Sequence, residues 1–481
     1  MKRSGRVVIL GLALVAALRV LLLAAAFPFF HAVDEHQHVD TIHRWSRGQL
    51  PGPETVHIAD PVIDWALRFG TFEYLEPDPE PPYYARPAFQ PGAPWATLAR
   101  NAFASVVNQE FESPPVYYAT AALWYRLGEI GLRDLDLLLW LRALNALTLA
   151  LLVLGSHAWL RRRAPDDALL HTGVPALIAF VPQDAFYGVS PDGFCALLGG
   201  LAFAMAVEAS DGRRRGGGFD VTAGLAVAAA FLAKYTNVVY AGLLGLGYLL
   251  RASMHGPAKR VAARAAIAGV AAAVPIGLWL GRNQAVVGDP FATARKVAHL
   301  EWTPRAWSQL LEHPVFGAAG AFTWLRETLV HFWRGEFRWL GEPMTWAWLD
   351  TTLWTVSLLA LLVGAASAWH ALRRRDWLEP LALLATIAGF AVLAVLSARF
   401  TFADWGNPTR LHPYFVEGRL VLGVLLPFCI VFVRGVALAG ARLPAWAPPA
   451  ALAAWIAFVS VTDWILAAPA FASPWNWLHG G

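Results

Sequence analysis

Cysteine is almost missing from this 481-residue chain: only Cys195 and Cys429 occur, both inside apolar runs. That excludes a disulfide framework and leaves thiolate metal chemistry without a cluster. Charge is scarce too, with Asp, Glu, Lys and Arg at 15% of residues against 57% hydrophobic. So thin a polar fraction does not suit one soluble core. No Walker-type loop and no Rossmann glycine pattern occurs, so nucleotide sites built on those loops are excluded, and no nucleic-acid partner is expected. No internal repeat or low-complexity tract stands out. The net charge of +4 says less than the placement of the charges.

What is present is a series of long apolar runs. About 20 apolar residues span a bilayer as a helix, because lipid offers backbone N–H and C=O groups no partner. The chain therefore reads as an α-helical polytopic membrane protein. About eleven spans are expected, near 7–30, 134–160, 169–188, 191–208, 219–233, 235–251, 261–281, 351–371, 379–397, 419–438 and 448–468. The first is read as an uncleaved helix, being too long for a signal-peptide core.

Arginine clusters at Arg161–Arg163, Arg213–Arg215 and Arg373–Arg375 are placed inside by the positive-inside rule. Residues 31–113 carry 12 Asp or Glu against 5 Arg and no Lys, and belong outside. This gives a cytoplasmic N-terminus, an outer C-terminus and an inner (cytoplasmic) membrane location. The chain is read as one membrane-embedded domain over 1–481 with two large outer segments, 31–133 and 282–350. PPVYYATAALWYRLG (114–128) is apolar but short and is expected to lie along the outer interface. Trp302, Trp333, Trp339 and Trp346 in the outer loops are candidates for stacking on sugar faces.

Directly after the first span stands HAVDEHQHVD (31–40), with seven polar or charged side chains in ten. Helical spacing would bring Asp34 to His38, and His36 to Asp40 and His43. Two functional readings fit: a metal site on His36, Asp40 and His43, suited to Zn or Mn, or a general base at the membrane surface. A solvated loop is the plain alternative. Other outer ends add Asp184 and Asp192 in PQDAFYGVSPDGF, Lys234 in LAKYTN, and Arg282 and Asn283 in WLGRNQAVVGDPF. A cation at membrane depth faces a cavity or an anion, or snorkels.

Taken in order, DEHQH after the first span, SPPVYY, SPD, AKYT, RN…GDP and EGR in FVEGRLVLGVLLP resemble the polytopic glycosyltransferases of the GT-C fold. These include protein O-mannosyltransferases and lipid A aminoarabinose transferases, and the likeness is greatest to a bacterial branch whose first loop reads roughly PPDExxHF. The likeness runs from Asp34 to Pro427. Ala32-Val33 in place of PP, and Glu112-Ser113 where His or Gln often precedes PP, depart from the pattern.

The resemblance implies a GT-C fold and transfer of a sugar, with inversion, from a polyprenyl-phosphate donor to a hydroxyl of a glycan, lipid or protein on the outer face. Catalytic positions fall on Asp34 as base, Glu35 and Asp192. Substrate-binding positions fall on His38, Lys234, Arg282, Asn283, Arg419, Glu417 and Tyr117, with Lys234 and Arg282 on the donor phosphate. No cofactor is assigned, and a divalent cation (Mg or Mn) is left open. The rival reading is a transporter of a cation or lipid-linked sugar using the cluster at 34–43, although no second copy of the first half is seen.

Overall fold

A computed structural model describes residues 3–31, 34–70, 94–211, 216–254 and 257–479. The expected cluster Arg213–Arg215 and the pair Ala32-Val33 lie outside the described residues. The first part of the chain forms α1 (Arg3–Ala26), α2 (Glu35–Ser46), α3 (Asp60–Phe69), α4 (Pro94–Ser105), α5 (Pro115–Glu129), α6 (Asp134–Arg163), α7 (Val174–Ala179), α8 (Asp192–Asp211), α9 (Gly217–Ala233) and α10 (Val239–Met254). There follow α11 (Ala258–Val286), α12 (Ala294–His299), α13 (Ala318–Arg334), α14 (Ala347–Arg373), α15 (Leu378–Arg399), α16 (Leu425–Ala439), α17 (Ala447–Leu466) and α18 (Ala468–Ala472).

Among the described residues, eight helices are long and apolar enough to cross a membrane. They are α1, α6, α8, α11, α14, α15, α17 and the unit Gly418–Ala439 that contains α16. The other three of the eleven expected spans correspond to shorter helices at 169–179, 217–233 and 239–254. Of these, α9 runs along α11 and α10 along α8. The 15-residue α5 is about 22 Å long at 1.5 Å per residue, short of a crossing. It turns Tyr117, Tyr118 and Tyr125 inward and leaves Leu123 and Leu127 exposed.

Ion pairs gather in two layers, because charge is tolerated only where a span ends or finds a partner. In one layer Arg163 meets Asp211 at 2.9 Å and Asp376 at 2.8 Å, and Arg264 meets Asp220 at 2.7 Å. The other layer lies at the opposite ends of these helices and joins α2, α6, α8 and the residues after α9. It holds Glu35 with Arg142, and Asp192 with Lys234 and Arg419.

Two devices shape that second layer. The first is the pair Glu35–Arg142, fully buried. Arg142 uses five N–H donors: Nε and Nη2 on Glu35 at 2.8 and 2.7 Å, Nη1 on the carbonyls of Ala24 and Phe27 at 2.6 Å each, and Nη2 on Pro28 at 2.9 Å. It thereby satisfies carbonyls that the end of α1 leaves without helical partners. The second is a break ahead of α16, where Gly418–Val424 winds as a 3-10 helix with Val421 out of helical geometry (φ −119°, ψ 20°). Tyr240 and Thr236 donate their hydroxyls to the carbonyls of Gly423 (2.6 Å) and Leu420 (2.7 Å), so carbonyls at the break stay paired inside the bundle. Gly199 of α8 packs so tightly on the Gly423 carbonyl that a side chain there would collide with it.

Two outcomes are expected. On the positive-inside reading of the sequence, a cysteine placed at Glu54 should react with a membrane-impermeant maleimide in intact cells, and one at Arg374 only after permeabilisation; equal reaction at both would overturn that orientation. Arg142→Met should destabilise the protein by about 3–5 kcal/mol, since it strands a buried carboxylate. Unfolding in detergent should also show partial recovery in the double variant Arg142→Met, Glu35→Gln.

Candidate active site

Asp34 stands at the head of α2 in left-handed backbone geometry (φ 62°, ψ 10°), uncommon for a residue with a side chain. The turn is closed by Gln37 and His38 N–H groups donating to the Asp34 carbonyl at 2.9 and 3.0 Å. The side chain is half-buried, with Oδ1 accepting from Gln37 Nε2 at 3.1 Å. Its charge reaches His38, Lys296 and Arg419.

Asp192 opens α8 and is fully buried. Its Oδ1 pairs with Lys234 Nζ and its Oδ2 with Arg419 Nη1 at 3.3 Å. Lys234 reaches it because the chain turns extended at the end of α9 (φ −161°, ψ 131°). Arg419 is delivered by the broken segment before α16, and its Nε faces Glu336 Oε1 at 3.4 Å. Asp34, Asp192, Glu336 and Glu417 all act on this one guanidinium.

His38 lies between these groups, with Nδ1 2.8 Å from the Tyr118 hydroxyl. Burial, only partly opposed by Glu110, Asp34 and Asp192, lowers its pKa and keeps the ring neutral. Tyr117 packs edge-on against Tyr118 at 5.2 Å. Burial, with Asp192 and Glu35 near, pushes its phenol well above the usual range.

Glu35, expected among the catalytic acids, is corrected to a structural role. Its four acceptor positions are taken by Arg142 Nε and Nη2 and by the N–H groups of Val189 (2.9 Å) and Phe30 (2.7 Å). Burial works against its charge, yet Arg142 holds the carboxyl below the usual range. The metal candidates His36, Asp40 and His43 do not form a cation site. Asp40 accepts from Arg44 (2.9 Å), Asn108 (2.7 Å) and Ala59 N–H (2.9 Å). His36 lies edge-on to Phe103, and His43 Nδ1 is 3.3 Å from the Tyr125 hydroxyl. No three His, Cys, Asp or Glu among the described residues are grouped to hold a metal ion.

Arg282 and Asn283 stand apart from the Asp192 cluster. Arg282 donates to the Pro51 carbonyl and to Asn283 Oδ1 (3.1 Å), with its guanidinium 5.4 Å from the Trp279 ring centre. Asn283 donates to the Pro290 carbonyl at 3.3 Å. Among the described residues neither makes a hydrogen bond or ion pair with Asp34, Asp192 or Lys234; Arg419 stands beside Lys234 instead. Trp333, a sugar-stacking candidate, is buried against Phe428, Phe432 and Trp455.

Sequence reasoning missed Glu110, Glu336 and Lys296. Glu110 Oε1 binds Lys296 Nζ at 2.5 Å, and the Glu336 N–H donates to Asp184 at 2.8 Å. One signal was available for Lys296: the chain has only four lysines, at 2, 234, 259 and 296. A pocket bordered by Phe27, Asp184, Tyr187, Phe337 and Asp463 adjoins this acidic side. Asp34, His38, Asp192 and Arg419 do not line it.

Glu417 accepts from Asn407 Nδ2 at 2.7 Å, and burial with Glu336 nearby pushes its carboxyl up to about 7. A carboxyl whose folded pKa exceeds its unfolded value stabilises the fold at low pH, and loses that contribution as pH rises from its unfolded pKa through its folded one. The melting temperature should therefore fall between about pH 5 and 8 more steeply in the wild type than in Glu417→Gln. Parallel curves would show that Glu417 titrates normally.

No curated protein matches the chain. Among solved structures it is similar to the archaeal oligosaccharyltransferase AglB from Archaeoglobus fulgidus in complex with an inhibitory peptide and a dolichol-phosphate (13% identity, TM-score 0.44, 95% of this chain). The chain spans 56% of the length of that protein. It is similar as well to ArnT from Cupriavidus metallidurans in the apo state (15% identity, TM-score 0.44, covering 100% of this chain and 77% of that one). The corresponding values for ArnT bound to undecaprenyl phosphate are 15%, 0.42, 99% and 77%. Residues 18–401, well over half of the 481, match the family described as predicted membrane protein (DUF2142), and the chain belongs to that family.

Proposed function

We propose that this protein is an inverting glycosyltransferase that moves a sugar from a polyprenyl-phosphate carrier to a hydroxyl acceptor at the end of the bundle where Asp34 lies. The observation that carries the reading is a half-open carboxylate, Asp34, held at the head of a helix within reach of the charges of Lys296 and Arg419. An aspartate so placed suits proton acceptance, and cations beside it suit a departing phosphate.

The acceptor hydroxyl attacks the anomeric carbon from the face opposite the phosphate. Asp34 takes the hydroxyl proton as the new C–O bond forms. The bond between the anomeric carbon and the phosphate oxygen breaks, and its electron pair leaves with the lipid phosphate. Arg419, with Lys234 behind it on Asp192, offsets the growing charge. Neutral His38, fixed by Tyr118, and the Tyr117 phenol are placed to orient sugar or acceptor hydroxyls. Under this reading the site faces the extracytoplasmic side, the N-terminus is cytoplasmic, and the acceptor is a cell-envelope glycan, lipid or protein.

Asp34→Asn keeps the shape of the side chain and removes its basicity. Transfer from a radiolabelled polyprenyl-phosphate sugar to membrane acceptors should fall by about 10²–10⁴-fold, with donor binding retained. Near-normal transfer in this variant would move the base to another carboxylate.

A further inference from the structure

Lys296 differs from the other cations of the site in how loosely it is held. Its side chain is 35% exposed, against 18% for Lys234 and 17% for Arg419. It rides on α12, whose approach is set by Asp289: that carboxylate accepts from the N–H groups of Phe291 (3.0 Å), Thr293 (2.7 Å) and Ala294 (2.8 Å). The neighbouring Arg295 anchors the segment, binding Glu112 Oε1 at 2.5 Å and the carbonyls of Gly52 (3.2 Å), Glu54 (2.8 Å) and Pro53. With the backbone fixed by Arg295, Lys296 itself has one hydrogen-bond partner among the described residues, Glu110 Oε1.

Glu110 does not depend on that contact alone. Its Oε2 accepts from Ser113 Oγ at 2.7 Å and faces the Tyr118 hydroxyl at 3.5 Å, and Tyr118 in turn meets His38. When a competing anion takes Lys296, Oε1 loses its partner but Oε2 keeps the Ser113 hydroxyl, so the carboxylate is not left bare. Through Glu110, Tyr118 and His38, whose N–H donates to the Asp34 carbonyl, the ammonium is linked to the head of α2, and the Asp34 charge acts on it.

We propose that Lys296 is a substrate-binding residue of this site that trades Glu110 for the phosphate of the lipid carrier, and that the trade favours the departing monoester over the intact diester donor; the inference rests on the donor reading above. The reason is charge. A phosphodiester carries one negative charge, no more than Glu110, whereas the phosphate released when the glycosyl C–O bond breaks approaches two, about −1.5 to −2 near pH 7. Lys296 is drawn to the leaving group as that charge grows, and returns to Glu110 once the product has gone.

The test uses the full-length purified protein and three probes, farnesyl phosphate, farnesol and inorganic phosphate, with affinities from calorimetry and melting temperatures as the check on folding. Lys296→Met should weaken farnesyl phosphate about 10–100-fold and leave farnesol unchanged, since it removes one charge-assisted contact. Lys296→Arg should keep most of the affinity, and Lys296→Gln stands in for the Met variant if that one does not fold. Glu110→Gln should tighten farnesyl phosphate by removing the competing charge. Wild-type affinity in a folded Lys296→Met protein, or weaker binding in Glu110→Gln, would overturn the inference while leaving the donor reading intact. A wild type that binds farnesyl phosphate no better than farnesol would overturn the donor reading and this inference with it. Inorganic phosphate bound as tightly as farnesyl phosphate would overturn the lipid carrier as the source of the anion.

Discussion

Two opposite charges sealed from water at the junction of α1, α2 and α6 are the constraint on which the active end is built. A buried carboxylate or guanidinium costs several kcal/mol unless every lone pair and N–H finds a partner. Glu35 and Arg142 meet that demand jointly, and Arg142 spends its remaining donors on Ala24, Phe27 and Pro28. Those carbonyls lie at the C-terminal end of α1, where the helix dipole also favours a cation. The exit of the first helix, the start of the second and the loop at Val189 are thus tied together by the Glu35–Arg142 pair. Asp34 is the residue next to that anchor, so its left-handed turn and its place at the mouth of the site are set by the ion pair rather than by its own contacts.

Arg419 organises the other half. The 3-10 break brings Arg419 to Asp192 and Glu336, under the electrostatic influence of Asp34 and Glu417, with Tyr240 and Thr236 pairing carbonyls at the break. Carboxylates crowd around it, and burial together with that crowding pushes both Asp184 and Glu417 up to about 7. Burial thus favours the neutral form of these two carboxyls more than that of an exposed acid.

Much of this was legible in the chain. The apolar runs, the arginine clusters and the acidic first loop led to the helices and their layering, because length, hydropathy and charge bias are local properties. Asp34, His38, Asp192, Lys234 and Arg419 were singled out from short motifs, and they do come together. The partners were not legible. Glu35 sits one residue from Asp34 and reads the same on paper, yet Arg142 lies 107 positions away and claims it entirely. Lys296 finds Glu110 across 186 positions, and nothing near either residue in sequence marks the pairing. Arg282 shows the converse: its motif was plain, but the fold turns it toward the Pro51 carbonyl.

The sequence by itself determined that the chain lives in a membrane, roughly where its helices begin and end, and which helix ends carry acids and bases. These follow from the cost of exposing backbone and charge to lipid, which each segment settles for itself. Only the tertiary structure decided which carboxylate is spent on architecture and which stays open, and which cations surround it. A buried charge is satisfied by whatever group folding brings within about 3 Å, and at separations of a hundred residues that is settled by helix packing, not by neighbours in the chain.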